Sequence, residues 1–342
     1  MAMDERKLKI LHLVIKDFIV NAEPVGSKTI KEKSSLGVSS ATIRNEMAGL
    51  EALGYLKQPY TSSGRIPSEL GYRVYVDNLM KLDVLDYNQR QIIKKLLLGN
   101  VIEVEDVIKE ALEILTQMTD MTTLVTLPQF NKSKLTNLKL ININYSKVLL
   151  VFVSDTGIVK NIQLPLEGIS QDVLDLISNV MLKKLQGSNI SEITVKKISK
   201  IKSELPHFRE VIDYIVPVLK ETLKNMDDIE VKLDGINKIF DLPEFQDVKK
   251  VKEFLTTLED KNVLRNLLSC ELDQNISIKI GEEVGLEEIN GCSMISAGYK
   301  INGFQAGRIG VIGPIRMNYP SVISTVNYVA ETLTKIFSGI HL

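Results

Sequence analysis

Tryptophan is absent from this chain of 342 residues, histidine occurs three times and cysteine twice. His12, His207 and His341 lie far apart and no Cys-x-x-Cys pair exists, so the spacing of a metal site is missing. The same scarcity leaves no Ser/His/Asp or Cys/His set from which to build a nucleophilic centre. No catalytic residue, cofactor or metal is therefore expected. Cys270 and Cys292, in a chain without a secretory leader pattern, read as small core residues of a reduced, cytoplasmic protein. No apolar run approaches the ~20 residues of a membrane span. Excess charge is lacking too: 42 Lys and Arg oppose 43 Asp and Glu. Bulk charge thus gives no sign of nucleic acid, and any phosphate contact must come from a local patch. What remains is an ordinary globular composition, 44% hydrophobic and 25% charged. The length suits two or three domains of roughly 100–200 residues each.

The most informative stretch is 23–76. Leu8, Leu11, Ile15 and Phe18 form one apolar stripe of a helix over about 4–20, with Asp4 and Glu5 in its first turn. His12 falls on its flank. Pro24 and Gly26 break the chain, Ser27 is a good N-cap, and Ile30 points inward from a second helix. Ser35-Leu36-Gly37-Val38 is a tight turn in which Gly37 accepts a positive φ. A third helix then starts with Ser39 or Ser40 as cap. Ile43, Met47 and Leu50 share its inner face. Opposite lie Ala41, Asn45 and Ala48, with Thr42 and Arg44 on the shoulders. Small residues allow close backbone approach to bases, Asn pairs bidentately with adenine, and Arg with guanine or phosphate. Gly54 ends this helix.

Leu56-Lys57-Gln58 and Arg65-Ile66-Pro67 read as the two strands of a wing. Its tip, Tyr60-Thr61-Ser62-Ser63-Gly64-Arg65, offers hydroxyls and a flexible backbone for phosphate contact. Arg65 touches phosphate or enters the minor groove. Ser68 caps a further helix with Leu70, Val74 and Tyr75 as its apolar residues. Arg73 reaches the DNA backbone or, with Tyr72, braces the wing. Helix, turn, helix and wing together suit insertion of the third helix into the DNA major groove. The patch is only mildly basic: residues 1–73 hold eleven Lys and Arg against eight Asp and Glu, a net of +3.

Further along, residues 82–120 read as two helices, with Ile92 and Leu96 inward in the first and a break at Gly99-Asn100. A strand over 122–127 follows, then a three-stranded meander over 138–142, 148–153 and 159–164. Helices come next over about 170–185 and 208–226, with a short one between them. Pro217 should kink or split the last. Strands near 276–281, 292–299 and 307–312 precede a final helix over 321–337. Gly307 to Pro314 lacks the Gly-Lys-Ser/Thr ending of a phosphate loop and reads as a strand whose glycines permit tight packing.

The strings PVGSKTI, LGVSSATIRNEMAGLEALGYL and SSGRIPSELGYRVYVD, and later GRIGVIGPIRMNYPSVISTVNYV, resemble those of the HrcA family of heat-inducible transcription repressors. The wing departs from the family's pattern, which carries a His and an Ala where this chain has Pro59 to Gly64. The resemblance implies an α+β chain in three parts: a winged helix-turn-helix over 1–80, a GAF-like α/β domain over 81–135 and 230–342, and an inserted dimerising domain over 136–229. It carries a DNA-binding role onto Ser39, Ser40, Ala41, Thr42, Arg44, Asn45, Tyr60, Thr61, Ser62, Ser63, Gly64, Arg65 and Arg73. It also implies partners: a second copy of the chain, double-stranded DNA bearing the inverted-repeat CIRCE operator, and the GroEL chaperonin that keeps the repressor active. The competing reading is a regulator whose GAF-like domain senses a small molecule. That needs an apolar pocket with convergent polar groups, and no such cluster is evident in the sequence.

Overall fold

The computed structural model describes residues 4–34, 36–60, 64–97, 104–127, 134–155, 159–189, 192–225, 230–268, 275–301 and 303–338. It is an α+β architecture. Helix α1 (Glu5–Asn21) is capped by the Asp4 carboxylate, which accepts from the Arg6 amide. It buries Ile10, Leu11, Val14 and Ile15. The expected stripe is thus rotated, because Leu8 and Phe18 are only partly buried. Helix α2 (Ser27–Lys33) starts after an extended Gly26, so Ser27 is its first residue and not its cap. Helix α3 (Ser40–Ala52) is capped by Ser39, whose Oγ accepts from the Thr42 amide at 3.1 Å. Gly54, at φ +82°, ends it: its amide donates to the Glu51 carbonyl and that of Tyr55 to Leu50.

A two-stranded ribbon follows, β1 (Leu56–Lys57) against β2 (Ile66–Pro67), with Val25 bridged to Arg65 beside it. Ser68 caps α4 (Glu69–Val74), which runs on into a π-helical turn (Tyr75–Leu79). Its inner face differs from the expected one. Tyr72 and Tyr75 are buried, while Leu70 is 48% exposed. Residues 4–80 are called the head below.

Helices α5 (Tyr87–Leu97) and α6 (Val104–Thr119) come next, and α5 buries Ile93 while Ile92 is exposed. The break expected at Gly99-Asn100 lies outside the described residues. Five strands then form one antiparallel sheet: β3 (Thr122–Thr126), β7 (Val231–Asp234), β8 (Ile276–Ile280), β9 (Cys292–Ile301) and β10 (Phe304–Pro314). Their order is β7-β3-β10-β9-β8. Along β10, Ile309 and Val311 join the core under α6 and α12 (Tyr319–Phe337). Ile312 joins the opposite core, made with α10 (Val248–Glu259) and α11 (Lys261–Leu268). Period-2 alternation thus feeds a hydrophobic layer on each face.

Between β3 and β7 the chain leaves the sheet and returns to the neighbouring position. Leu127 donates to the Glu230 carbonyl at 2.8 Å. The excursion is a second antiparallel sheet, β4 (Leu135–Asn144), β5 (Lys147–Ser154) and β6 (Val159–Leu164). Helices α7 (Gln171–Leu185), α8 (Val195–Glu204) and α9 (Arg209–Asn225) complete it. Its core is its own, with Leu138, Leu150 and Phe152 meeting Ile177, Met181 and Ile215. Pro217 neither splits nor ends α9. Proline's fixed φ is helical, so the helix continues while giving up one backbone donor.

The head does not have a separate core. Ile10, Leu50 and Tyr72 belong to the same buried cluster as α6 and α12.

Candidate nucleic-acid interface

Helix α3 is held by its inner face. Ile43 and Leu50 are fully buried and Met47 nearly so. That fixes which residues turn outward: Ser39, Ala41, Arg44, Asn45 and Ala48 are exposed, and Ser40 and Thr42 half-exposed. Ser39 Oγ also lies 2.9 Å from Thr42 Oγ1, so the cap orders the first turn. Arg44 and Asn45 have no side-chain hydrogen bond or ion pair among the described residues, and both stand ready for an external partner.

The helix also carries two carboxylates, and both are neutralised within the head. Glu46 is 2.9 Å from Lys7 and 3.5 Å from Arg6 of α1. Glu51 lies 2.8 Å from the Arg65 guanidinium. The only formal charge on the outward face of α3 is therefore that of Arg44. A phosphodiester approaching this face meets little repulsion.

Other residues expected at the interface fare differently. Tyr60 stands 75% exposed at the end of the ribbon, while Thr61, Ser62 and Ser63 lie outside the described residues. Gly64 packs against Val25, where an added Cβ would overlap the Val25 carbonyl. Arg65 is turned back onto Glu51 of α3.

Arg73 has partners within the chain. Its guanidinium donates to both Glu283 oxygens, to Asp77 and, at 2.9 Å, to the Ile278 carbonyl. It faces the sheet domain. Glu69, one turn earlier, accepts from the Glu282 amide at 3.0 Å. Tyr72 is buried, with its ring 5.8 Å from that of Tyr319.

One contributor escaped the sequence reading. Lys31 of α2 lines a hollow of about 380 Å³ together with Gly37, Val38 and the cap residue Ser39. The positive end of the α3 dipole with a lysine beside it favours an anion. The signal in the sequence was the exposed lysine of α2 near Gly37. His12 is half-buried with its ring 5.5 Å from Tyr75, and burial, aided by Lys16, lowers its pKa. Cys292 is buried, which pushes its thiol up to about 12. Cys270 lies outside the described residues.

No helix among the described residues is long and apolar enough to cross a membrane. Residues 105–323 match the family model described as HrcA protein C terminal domain. The heat-inducible transcription repressor HrcA of Clostridium tetani is 41% identical over 339 residues, 98% of this chain and 96% of that protein. The protein of the same name from Clostridium acetobutylicum is 39% identical over 335 residues, 97% of each chain. One crystal structure, of a protein described as hypothetical, superposes with a TM-score of 0.68 at 22% identity over 99% of both chains. That likeness concerns the fold.

Proposed function

Since the chain belongs to the HrcA family of heat-inducible transcription repressors, we propose that its head is a winged helix-turn-helix that lays α3 in the major groove. The target is an inverted-repeat CIRCE operator. The single observation that carries this is the outward face of α3, where small side chains flank Arg44 and Asn45, unpaired among the described residues, while Glu46 and Glu51 are neutralised from behind. Ser39, Ser40, Ala41 and Thr42 bring the backbone close, Asn45 and Arg44 reach base edges or phosphate, and Lys31 supports a phosphate at the helix N-terminus. Tyr60, Gly64 and the ribbon tip follow the backbone, and Arg65 acts by holding the ribbon to α3.

The rest of the chain makes the head a switch. The sheet domain, 81–135 with 230–342, is GAF-like, and the excursion over 136–229 pairs two copies, so that two-fold symmetry matches the inverted repeat. GroEL maintains the binding-competent form in the cytoplasm, and heat-damaged proteins compete for it.

Gel-shift titration of a CIRCE duplex against a scrambled one, with and without chaperonin at fixed salt, tests the reading. Preference for the intact repeat, strengthened by chaperonin, is the expected result. Equal affinity for both duplexes refutes it. Salt must be fixed because non-specific affinity depends steeply on it.

A further inference from the structure

A trough of about 1020 Å³ opens on the head beside its junction with the sheet domain. One wall is α1, through Leu8, His12, Leu13, Lys16 and Val20. From Glu5 to Val20 the lining spans fifteen residues, so the trough follows the helix axis for roughly 22 Å at 1.5 Å per residue. The facing wall is the π-helical turn and the chain after it, through Tyr75, Leu79 and Leu82, and Pro320 of α12 also lines it. The lining is mostly apolar, and two of its side chains are left largely uncovered: Val20 at 78% and Leu82 at 54% exposure. Leu8 and Leu13 turn toward this trough, outside the buried stripe of α1.

Its charge is mixed with a positive excess. Lys9, Lys16, Lys33 and Lys81 line it, against Glu5 and Asp83. Lys9 is occupied by Glu5 at 2.6 Å and Lys33 by Asp17. Lys16 and Lys81 have no ion pair among the described residues, and both are exposed.

We propose that this trough is a docking groove for an amphipathic peptide segment of a partner protein, with acidic residues flanking its apolar anchors. Its length favours a peptide. A helix laid along it would present anchors at i, i+3, i+4 and i+7 to the leucines on both walls. A small amphiphile needs a pocket that encloses most of its surface, and an open trough does not provide one. Lys16 and Lys81, against Asp83 alone, leave a positive excess without ion pairs among the described residues, and it sets the sign of the occupant's charge. Most of the lining belongs to the head, and Lys81, Leu82 and Asp83 of the following chain with Asn318 and Pro320 of the sheet domain complete it. A segment bound there would contact α1 of the DNA-binding head and, through Asn318 and Pro320, the edge of the sheet domain. The head's DNA-binding role rests on the proposed function, whereas the docking itself does not.

The test uses the full chain and two fluorescent 16-residue probes with the same leucines at i, i+3, i+4 and i+7. One probe has Glu at the flanking positions and the other Lys. Fluorescence anisotropy at fixed salt should show saturable binding of the Glu probe and at least tenfold weaker binding of the Lys probe. K16E/K81E and, separately, L82D should each weaken the Glu probe tenfold or more. All three changes are at exposed side chains, and unchanged circular dichroism melts verify the fold. Absence of binding by either probe, equal binding of both, or indifference to the variants overturns the proposal. So does displacement of the peptide by laurate, which would make the site one for a small amphiphile. A drop in molar mass of L82D by light scattering also overturns it, since the occupant would then be a second copy. Operator affinity is not the readout, so failure here leaves the DNA-binding reading standing.

Discussion

Among single residues, Arg44 and Asn45 bear most directly on the proposed function. Each is expected to cost about 1–3 kcal/mol of operator affinity when truncated to Ala, if it makes a bidentate base contact. Gel shift at fixed salt reads this, and unchanged affinity in both variants would remove α3 from the recognition role. Arg73 shows what residue type alone leaves open. An arginine just after a wing suggests phosphate, yet its partner is Glu283, 210 positions away in sequence, and no local pattern reveals that distance. Glu46 and Glu51 are the converse. They look unfavourable on a DNA-facing helix until Lys7 and Arg65 are seen to neutralise them. Glu51→Ala should therefore leave Arg65 free and make operator binding more salt-dependent, measurable as a steeper slope of log K against log salt.

Elements were legible in proportion to how local their causes are. Helix α3 was readable in both phase and ends because cap, apolar spacing and terminating glycine all lie within sixteen residues. The meander β4 to β6 was readable from its alternation and turns. Helices α1 and α4 were misphased because each has apolar residues on two faces. Which face is buried is decided by distant partners, the shared core for α1 and Tyr319 for α4. The same distant contacts hold the head in place. Arg316 pairs with Glu244 and donates to the Ile19 carbonyl at 3.2 Å, tying α1 to the sheet domain. Arg316→Ala is expected to lose about 1.5–3 kcal/mol, the range for hydrogen bonds to charged groups in a shielded setting, in a denaturant titration. Wild-type stability in that variant would show the tie to be idle.

At the scale of the molecule, the shared core predicts cooperativity. Ile10, Leu50 and Tyr72 pack in one cluster with α6 and α12, whereas the excursion carries its own core. Calorimetry should show head and sheet domain melting together and the excursion as a separate unit. A transition belonging to the head alone would contradict this. Alkali offers a second test. Burial raises the pKa of Tyr72, Tyr299 and Tyr319 above the ordinary value of 10.0. Above about pH 10 the unfolded chain releases these protons and the folded chain retains them, so stability falls as pH rises. Tyr299→Phe should make that fall shallower when melting temperatures at pH 9 and 11 are compared. An unchanged slope would mean that Tyr299 ionises alike in both states. Finally, the excursion departs and returns through adjacent strands, with Leu127 and Glu230 hydrogen-bonded at the junction. It is attached like a cassette on a two-strand stem. A gene in which the intervening codons are replaced by a short turn should yield a foldable sheet domain. Evolution can thus exchange this part without redesigning the sheet that carries it.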